Sequence, residues 1–92
     1  MPWIRGFVWD DDNEAHIARH LVDPEEVEEA LSDDPVVLRG PDARYLAYGS
    51  TVDGRLLFCV FTRQPGGRIR VITAREMTTK ERRRYRRWRR RR

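Results

Sequence analysis

The C-terminal stretch RIRVITAREMTTKERRRYRRWRRRR, residues 68–92, organises the rest of the chain. At its start Ile69, Val71 and Thr73 alternate with Arg68, Arg70 and Ile72, which predicts a β-strand with one partly basic face. The Thr-Thr-Lys-Glu segment that begins at Thr78 is a capping box, so we expect a helix to begin there. Most of the later residues are arginine, and like charges at helical spacing repel one another. We therefore expect the helix to be ordered to about Trp88, to pack through Tyr85 and Trp88, and to end in a mobile arginine tail at residues 89–92.

Three segments that precede this strand have the same strand-like character, and short turns with Gly, Pro or Asp separate them. The four predicted strands are residues 35–39, 44–51, 55–63 and 68–75. Because short turns join successive strands, the pattern predicts an antiparallel meander. The run LLFCVF at 56–61 is apolar on both faces and indicates a central strand that is covered on both sides.

The N-terminal third predicts one short strand, at residues 4–9, and two helices. Acidic residues 10–12 favour a helix start, and the first helix is expected over about 11–20. Asp23, Pro24 and Glu26 form the N-terminal signature of a second helix. The predicted fold class is α+β: an antiparallel sheet meander, packed by two N-terminal helices and one basic C-terminal helix, within a single domain of residues 1–92.

Charge is unevenly distributed along a chain whose net charge is +4. Residues 1–37 contain two arginines against eleven acidic side chains, and residues 75–92 contain eleven basic side chains against two glutamates. This asymmetry indicates a surface for a nucleic acid or an acidic partner at one end. The alternative is that the acidic half and the basic tail neutralise each other within one fold, and both interpretations can hold together.

Other sequence features point to a cytoplasmic protein with no membrane contact. No segment approaches the ~20 apolar residues that a membrane span needs, and the N-terminus does not resemble a signal peptide. The single cysteine, Cys59, lies in an apolar run and cannot form an internal disulfide. We expect it to be a small core residue.

The arginines of the C-terminal stretch are candidates for contact with RNA. The guanidinium group presents a planar fork of donors that suits phosphate, and its plane can stack on bases. Aromatic residues interleave the basic run and could stack as well. The predicted RNA-contacting residues are Arg68, Arg70, Arg83, Arg87 and Trp88. The alternative for the basic run is a solvated helix face.

His16 and His20 lie four residues apart on the first predicted helix. This spacing can bind zinc, but Ile17 stands where zinc proteases carry glutamate, and no third ligand is evident, so no metal site is predicted. Either histidine could transfer a proton near neutral pH. The alternative is that one of them is a partly buried packing residue.

Arg63, Arg70 and Arg75 are expected at or near the ends of the last two strands. Three fixed guanidinium groups could converge on one phosphate and stabilise the charge of a phosphoryl transition state. They could equally be rim charges that keep the sheet soluble. The sequence contains no Gly-rich phosphate loop, no paired-carboxylate geometry and no Ser/His/Asp triad that would indicate other chemistry.

The order of these motifs resembles the BrnT family of toxins, which belong to bacterial type II toxin–antitoxin pairs. The resemblance covers about residues 5–88: an F-x-W-D motif, an Asn-x-x-His-x-x-x-His helix, V-x-PEEVEEAL-x-DDP, two hairpins, and a closing RIRVITARE-M-T-x-KERRRY. WDDDNEAHIARH at 9–20 and RVITAREMTTKERRRY at 70–85 are its most specific parts. Leu21 is a departure, because many relatives carry glycine there, and we expect it to alter the helix end.

The resemblance implies a RelE-like fold and a ribonuclease that needs no metal or other cofactor, cleaves RNA and inhibits translation. The substrate would include messenger RNA, either free or on the ribosome. The implied partner is a cognate antitoxin with a ribbon-helix-helix region, and the complex would bind operator DNA through the antitoxin. A dimer within the toxin–antitoxin assembly is also implied.

RNA supplies its own nucleophile, the 2′-hydroxyl, so cationic side chains can replace a metal in its cleavage. We expect Arg75 to stabilise transition-state charge, Arg63 and Arg70 to position the phosphate, and His16 or His20 to move a proton. Tyr85 would stack a base or donate a proton, and we expect Arg75 and Tyr85 to face the histidines of the first helix. The competing hypotheses are a non-catalytic RNA- or antitoxin-binding module on the same fold, and a structural partner whose basic tail docks an acidic protein segment.

Overall fold

The computed structural model describes residues 4–91, and Met1, Pro2, Trp3 and Arg92 lie outside the described residues. Five strands and three helices follow the order β1-α1-α2-β2-β3-β4-β5-α3, with a short 3₁₀ turn, Pro65–Gly67, between β4 and β5. The strands are β1 Gly6–Val8, β2 Val36–Arg39, β3 Arg44–Ser50, β4 Leu56–Arg63 and β5 Arg68–Glu76. The helices are α1 Asp11–Ala18, α2 Pro24–Ser32 and α3 Thr79–Arg90.

The strands form one sheet in the order β1-β5-β4-β3-β2. Strands β2 to β5 are consecutive antiparallel neighbours, so the predicted meander is confirmed. Strand β1 adds a parallel neighbour at the outer edge of β5, where Gly6 pairs with Arg68 and Val8 with Arg70. The sheet is therefore mixed, and β1 lies beside the start of β5.

The two faces of the sheet carry two separate hydrophobic clusters. The cluster under α1 and α2 includes Ile17, Val27, Leu31, Cys59 and Phe61, all of which are at most 1% exposed. Cys59 is a buried core residue, as predicted, and its burial raises the pKa of the thiol to about 12.

The opposite face carries the second cluster, which α3 covers. It consists of Val36, Tyr48, Met77 and Tyr85, with Phe58 and Trp88 packed against it. The central strand β4 is thus covered on both faces along part of its length, as its sequence predicted. Within residues 4–91, no helix is both long and apolar enough to cross a membrane.

Each helix starts with a capping box, in which side chains accept hydrogen bonds from backbone N–H groups that lack intrahelical partners. In α3 the Glu81 N–H donates to the Thr78 hydroxyl at 3.2 Å, and the Thr78 N–H donates to the Glu81 carboxylate at 2.8 Å. In α1, Asp10 and Asn13 make the equivalent pair of bonds at 3.1 and 2.8 Å. The α3 capping box was predicted from sequence, whereas the role of Asn13 was not.

Helix α1 ends at Ala18, two residues before the predicted end. Leu21 then adopts the left-handed backbone conformation, with φ of 60°, although its side chain is 81% exposed. The Val22 N–H donates to the Ile17 carbonyl at 3.2 Å across this turn. Leucine thus takes up the backbone conformation that glycine favours, and the expected change in the helix end stays a prediction.

Helix α3 continues to Arg90, two residues beyond the predicted end. The Arg89 guanidinium donates to the Asp34 carbonyl oxygen at 2.7 Å and to the Asp34 carboxylate at 3.2 Å. These contacts attach the last turn of α3 to the start of β2. The mobility expected for residues 89–92 stays a prediction. Arg92, the last residue of this segment, lies outside the described part of the chain.

Candidate RNA-binding and catalytic surface

The structure divides the predicted catalytic residues between different parts of the sheet. His16 belongs to α1 and His20 to the turn that follows it, and the α1 residue Ile17 enters the first cluster. Arg75 and Tyr85 lie on the opposite face, beside or within the second cluster. The expectation that Arg75 and Tyr85 face the histidines of α1 was wrong, because the sheet lies between the two groups.

One histidine and one arginine of the predicted set are neighbours. His16 and Arg70 line the same depression of about 200 Å³, where α1 crosses the outer edge of β5 just beyond the end of β1. Asn13 holds the two elements together, since its amide donates to the Val8 and Val71 carbonyl oxygens at 2.8 and 3.1 Å. His16 is half-buried there.

Arg70 is oriented by an ion pair with Asp10, the N-cap of α1. Its Nη1 and Nη2 both donate to the carboxylate, the latter at 3.2 Å. The hydrogen bonds from Arg70 lower the pKa of Asp10 from 3.8 to about 2. One side chain thus caps the helix that carries His16 and also directs the guanidinium beside it. The N-capping pattern of Asp10 was readable from the sequence, but its bond to a residue sixty positions away was not.

His20 lies one turn beyond His16, and the centroids of the two rings are 6.0 Å apart. His20 is exposed, and it is not among the residues that line the His16 depression. Of the two candidates, His16 is the one that the fold places beside a guanidinium group.

Arg75 is held against the second cluster. Its Nη1 and Nη2 donate to the Glu81 carboxylate at 2.8 and 3.0 Å, and its Cζ lies 4.5 Å from the centroid of the Phe58 ring. The bidentate hydrogen bond raises the pKa of Arg75 and lowers the pKa of Glu81. Arg75 is therefore rigidly positioned, but its fork of donors already has a carboxylate partner.

The two predicted stacking aromatics are packing residues in this structure. Tyr85 is 5% exposed within the second cluster. Trp88 is half-buried, with its ring centroid 5.3 Å from that of Tyr48. The prediction that α3 packs through Tyr85 and Trp88 is confirmed. Stacking of either ring on a base would require these contacts to rearrange.

Arg63 and Arg68 flank the connection between β4 and β5, and both are exposed. The Gln64 N–H donates to the Arg68 carbonyl oxygen at 2.8 Å and closes this turn. Arg68 and Arg70 lie at the start of β5. Arg75 lies five residues beyond Arg70 on the same strand, a distance of about 16 Å by strand geometry. Arg63, Arg70 and Arg75 are thus spread along the sheet and do not converge on one phosphate.

The arginines of α3 fall into a bonded and an open group. Arg82 and Arg89 contact Glu76 and Asp34. Four others line a depression of about 290 Å³ on the outer surface of the helix: Arg83, Arg86, Arg87 and Arg90. Among residues 4–91, no carboxylate forms an ion pair with any of the four. We call these four residues the arginine row.

The arginine row contains two residues that were predicted to contact RNA, Arg83 and Arg87, and two that were missed, Arg86 and Arg90. Their spacing of three, four and seven residues places all four on one side of a helix, so helical periodicity could have found them. Open guanidinium groups at this spacing are suited to successive phosphates of a polyanion.

The described residues contain no group of three His, Cys, Asp or Glu side chains placed to hold a metal ion. His16 and His20 are neighbours, but a third such side chain does not join them. The acidic residue that lines the depression with His16 is Asp12, whereas Asp10 is engaged with Arg70.

The α+β fold thus carries a His–Arg depression at one edge of the sheet and an open arginine row on a packed helix, a charge arrangement suited to a polyanion. The family model described as "Ribonuclease toxin, BrnT, of type II toxin-antitoxin system" matches residues 9–81, and the chain belongs to this family. Family membership implies RNA as the substrate and an antitoxin as the partner. The resemblance seen in the sequence is thereby confirmed.

A solved structure supports the fold independently. The crystal structure of the Brucella abortus ribonuclease toxin BrnT is similar over 80% of this chain and 97% of that one, with a TM-score of 0.65 and 22% sequence identity. At this identity the likeness concerns the α+β fold alone. A comparison with curated proteins gave no match.

Proposed function

We propose that this protein is an endoribonuclease toxin that cleaves RNA without a metal ion and thereby inhibits translation in the cytoplasm. The observation that carries the proposal is that His16 and Arg70 line one depression, with Arg70 directed by Asp10. A group that can move a proton and a fixed cation are thus available at one place on a protein of the BrnT family.

In the proposed reaction the 2′-oxygen of a ribose forms a bond to the adjacent phosphorus, and the bond from phosphorus to the 5′-oxygen breaks. His16 accepts the proton of the 2′-hydroxyl, and the leaving 5′-oxygen gains a proton from solvent or from a second acid. Arg70 stabilises the additional negative charge on the phosphorane. The products are a 2′,3′-cyclic phosphate and a 5′-hydroxyl end.

The arginine row supports the proposal because it can hold the phosphates of the flanking RNA strand. Arg63 and Arg68, exposed at the β4–β5 connection, extend the positive surface near the start of β5. Arg75 contributes through its fixed positive charge and requires displacement of Glu81 before it can donate to a phosphate. We assign Tyr85 and Trp88 to the support of α3.

The proposal is tested by incubating the purified toxin with RNA in the presence of EDTA and by analysing the ends of the products. We expect cleavage to persist, with cyclic phosphate and 5′-hydroxyl ends. His16→Asn should reduce cleavage by about 10²-fold or more, whereas the matched variant His20→Asn should change it little. Equal activity of wild type and His16→Asn would exclude the assigned role of His16.

Inhibition of translation is tested in a translating extract. We expect the wild-type protein to stop protein synthesis and His16→Asn to allow it, at equal concentrations. Synthesis that continues in the presence of the wild-type protein would contradict the proposed effect on translation, whatever the cleavage assay shows.

A second candidate function is an RNA- or antitoxin-binding module without catalysis. The observation that favours it is that Arg70 and Arg75 both form ion pairs with carboxylates, and Tyr85 is buried. This module would bind RNA with a steep salt dependence and leave its length unchanged. Binding without cleaved ends in the EDTA experiment would favour it.

We further propose that the antitoxin has a ribbon-helix-helix region, that the complex contacts operator DNA through the antitoxin, and that the assembly contains two toxin chains. Ribbon-helix-helix regions are dimeric, so each antitoxin dimer can carry two toxins. Co-expression with the adjacent reading frame, followed by mass measurement of the complex, tests the composition. A complex with a single toxin chain would contradict it.

A further inference from the structure

Half of the sheet face that carries α3 is not covered by the helix. The covered half contains Val36, Tyr48 and Phe58, which pack in the second cluster. Two positions further along the strands from this covered row, the register places four other residues side by side: Leu38, Leu46, Val60 and Thr73. Leu38 is 40% exposed, and the other three are half-buried. We call these four residues the apolar stripe.

The apolar stripe is unusual for a surface of this protein, whose residues are 37% charged. It crosses four adjacent strands, which places its ends about 14 Å apart. That length corresponds to about ten residues, or nearly three turns, of an α-helix. A helix that presents apolar residues at i, i+3 or i+4, and i+7 could cover it.

Positive charge borders the stripe on both sides. The next row of the register, on the side away from α3, contains Arg44, two positions from Leu46, and Arg70, three positions from Thr73 because the register shifts between the rows. Arg84 belongs to α3, the helix that covers the row on the other side. Burial raises the pKa of Tyr48 in that row, and the charge of Arg84 partly offsets the rise. Within residues 4–91, neither Arg44 nor Arg84 pairs with a carboxylate. The stripe therefore has an apolar floor and an open cation on each side.

These observations favour a protein segment over RNA as the occupant. RNA-binding platforms stack bases on exposed aromatic rings, whereas the floor of this stripe is aliphatic apart from Thr73. The aromatic rings of the neighbouring row, Tyr48 and Phe58, pack against each other at an interplanar angle of 45°, with centroids 5.1 Å apart. The acidic surface of α2 lies on the other face of the sheet, where it would repel an acidic segment.

We propose that the apolar stripe is the docking site of the antitoxin, and that the docked segment is an amphipathic helix with acidic residues flanking its apolar side. The inference rests on the proposed toxin–antitoxin partnership. The acidic flanks meet Arg44 on one side and Arg84 on the other. Because Arg70 borders the stripe and also lines the His16 depression, the docked helix would hinder the access of RNA to His16. One surface thus accounts for both binding and neutralisation.

The test measures the affinity of toxin variants for the antitoxin encoded beside the toxin, purified by co-expression and separation of the complex. We expect Leu38→Ser/Val60→Thr to weaken binding at least tenfold, and Arg44→Glu/Arg84→Glu to weaken it at least tenfold. The matched controls are Val52→Ser and Arg19→Glu, which alter an 83% exposed apolar residue and an exposed arginine away from the stripe. These controls should stay within twofold of the wild type.

Cleavage of RNA by the free variants separates docking from misfolding and from catalysis. Leu38→Ser/Val60→Thr should keep the wild-type cleavage rate within about threefold while it loses antitoxin affinity. Unchanged antitoxin affinity in both stripe variants would overturn the inference, as would a loss of cleavage with unchanged antitoxin affinity, since the stripe would then hold RNA. If wild-type toxin cleaves no RNA but the stripe variants still lose antitoxin affinity, the docking site stands and the proposed ribonuclease mechanism fails.

Discussion

The guanidinium of Arg75 donates two hydrogen bonds to the carboxylate of Glu81, at 2.8 and 3.0 Å, and this carboxylate also accepts from the backbone N–H of Thr78. One side chain therefore completes the capping box of α3 and joins the end of β5 to the helix. The orientation of α3 over the sheet depends on this contact.

Glu81→Ala should destabilise the protein more than Thr78→Ala does. The first change removes the ion pair and half of the capping box, and we expect a loss of about 2 kcal/mol in the free energy of unfolding. Thr78→Ala removes only one cap contact and should cost about 1 kcal/mol. Urea unfolding of both variants and of Arg75→Ala/Glu81→Ala checks the difference. Equal losses for the two single variants would show that the ion pair contributes nothing.

The pair Asp10–Arg70 should make stability sensitive to acid. The folded pKa of Asp10, about 2, is below its ordinary value of 3.8. A carboxyl group whose pKa is lower in the folded protein stabilises that state at pH values above its pKa in the unfolded chain. This contribution is lost as the pH falls through the pKa of the folded state. We therefore expect a decline in the free energy of unfolding between about pH 4 and pH 2 that is smaller in Asp10→Asn.

Asparagine is a good N-cap, so Asp10→Asn retains the cap of α1 and removes mainly the charge. Chemical unfolding of both proteins from pH 5 to pH 2 measures the two slopes. Asp53, an exposed residue with no ion pair among the described residues, offers a matched control in Asp53→Asn. An identical slope for Asp10→Asn and wild type would refute the contribution of the pair.

Gly49 of β3 lies against α2 so closely that no side chain fits. A Cβ atom at this position would stand 2.2 Å from the backbone oxygen of Ala30. Gly49→Ala should therefore force α2 away from the sheet and destabilise the protein by about 3 kcal/mol. In Gly6→Ala the new Cβ meets the Arg68 side chain at 3.6 Å, an ordinary contact, and the loss should be well under that of Gly49→Ala. Thermal unfolding of the two variants makes the comparison.

Leu21 is a position where a substitution should increase stability. A leucine with φ of 60° occupies a conformation that costs about 1–2 kcal/mol for residues with a Cβ atom. Leu21→Gly relieves this cost and adds flexibility to the unfolded chain, so we expect a net gain of about 0.5 kcal/mol. Ala18→Gly, in helical backbone just before this turn, should instead lose about 0.5–1 kcal/mol. A loss of stability in Leu21→Gly would contradict the argument.

The arginine row should determine the salt dependence of RNA binding. Each phosphate contact with single-stranded RNA contributes about 0.7 to the slope of log K against log salt concentration. Replacing the four residues Arg83, Arg86, Arg87 and Arg90 with glutamine should lower the slope by about 3. Arg89→Gln, which alters an arginine bonded to Asp34, should leave the slope almost unchanged. Binding titrations between 50 and 200 mM salt measure the slopes.

The sequence alone was sufficient for features that depend on neighbouring residues. Alternation and short turns predicted the meander of β2 to β5, and the Thr78–Glu81 pattern predicted the start of α3. The spacing of Tyr85 and Trp88 predicted the face through which that helix packs. These predictions succeeded because strand periodicity, turns and caps are local, so the side chains that decide them lie within a few residues of one another.

Only the tertiary structure decided which distant residues meet. It placed β1 parallel to the start of β5, and it brought His16 beside Arg70 rather than beside Arg75. It also divided the arginines of residues 68–91 into those with a carboxylate partner and those open to a polyanion. Contacts of this kind depend on strand order and on the side of the sheet that each helix covers, which long-range packing determines. The basic C-terminal stretch predicted a polyanion surface, and the fold determined where on that stretch the open charges lie.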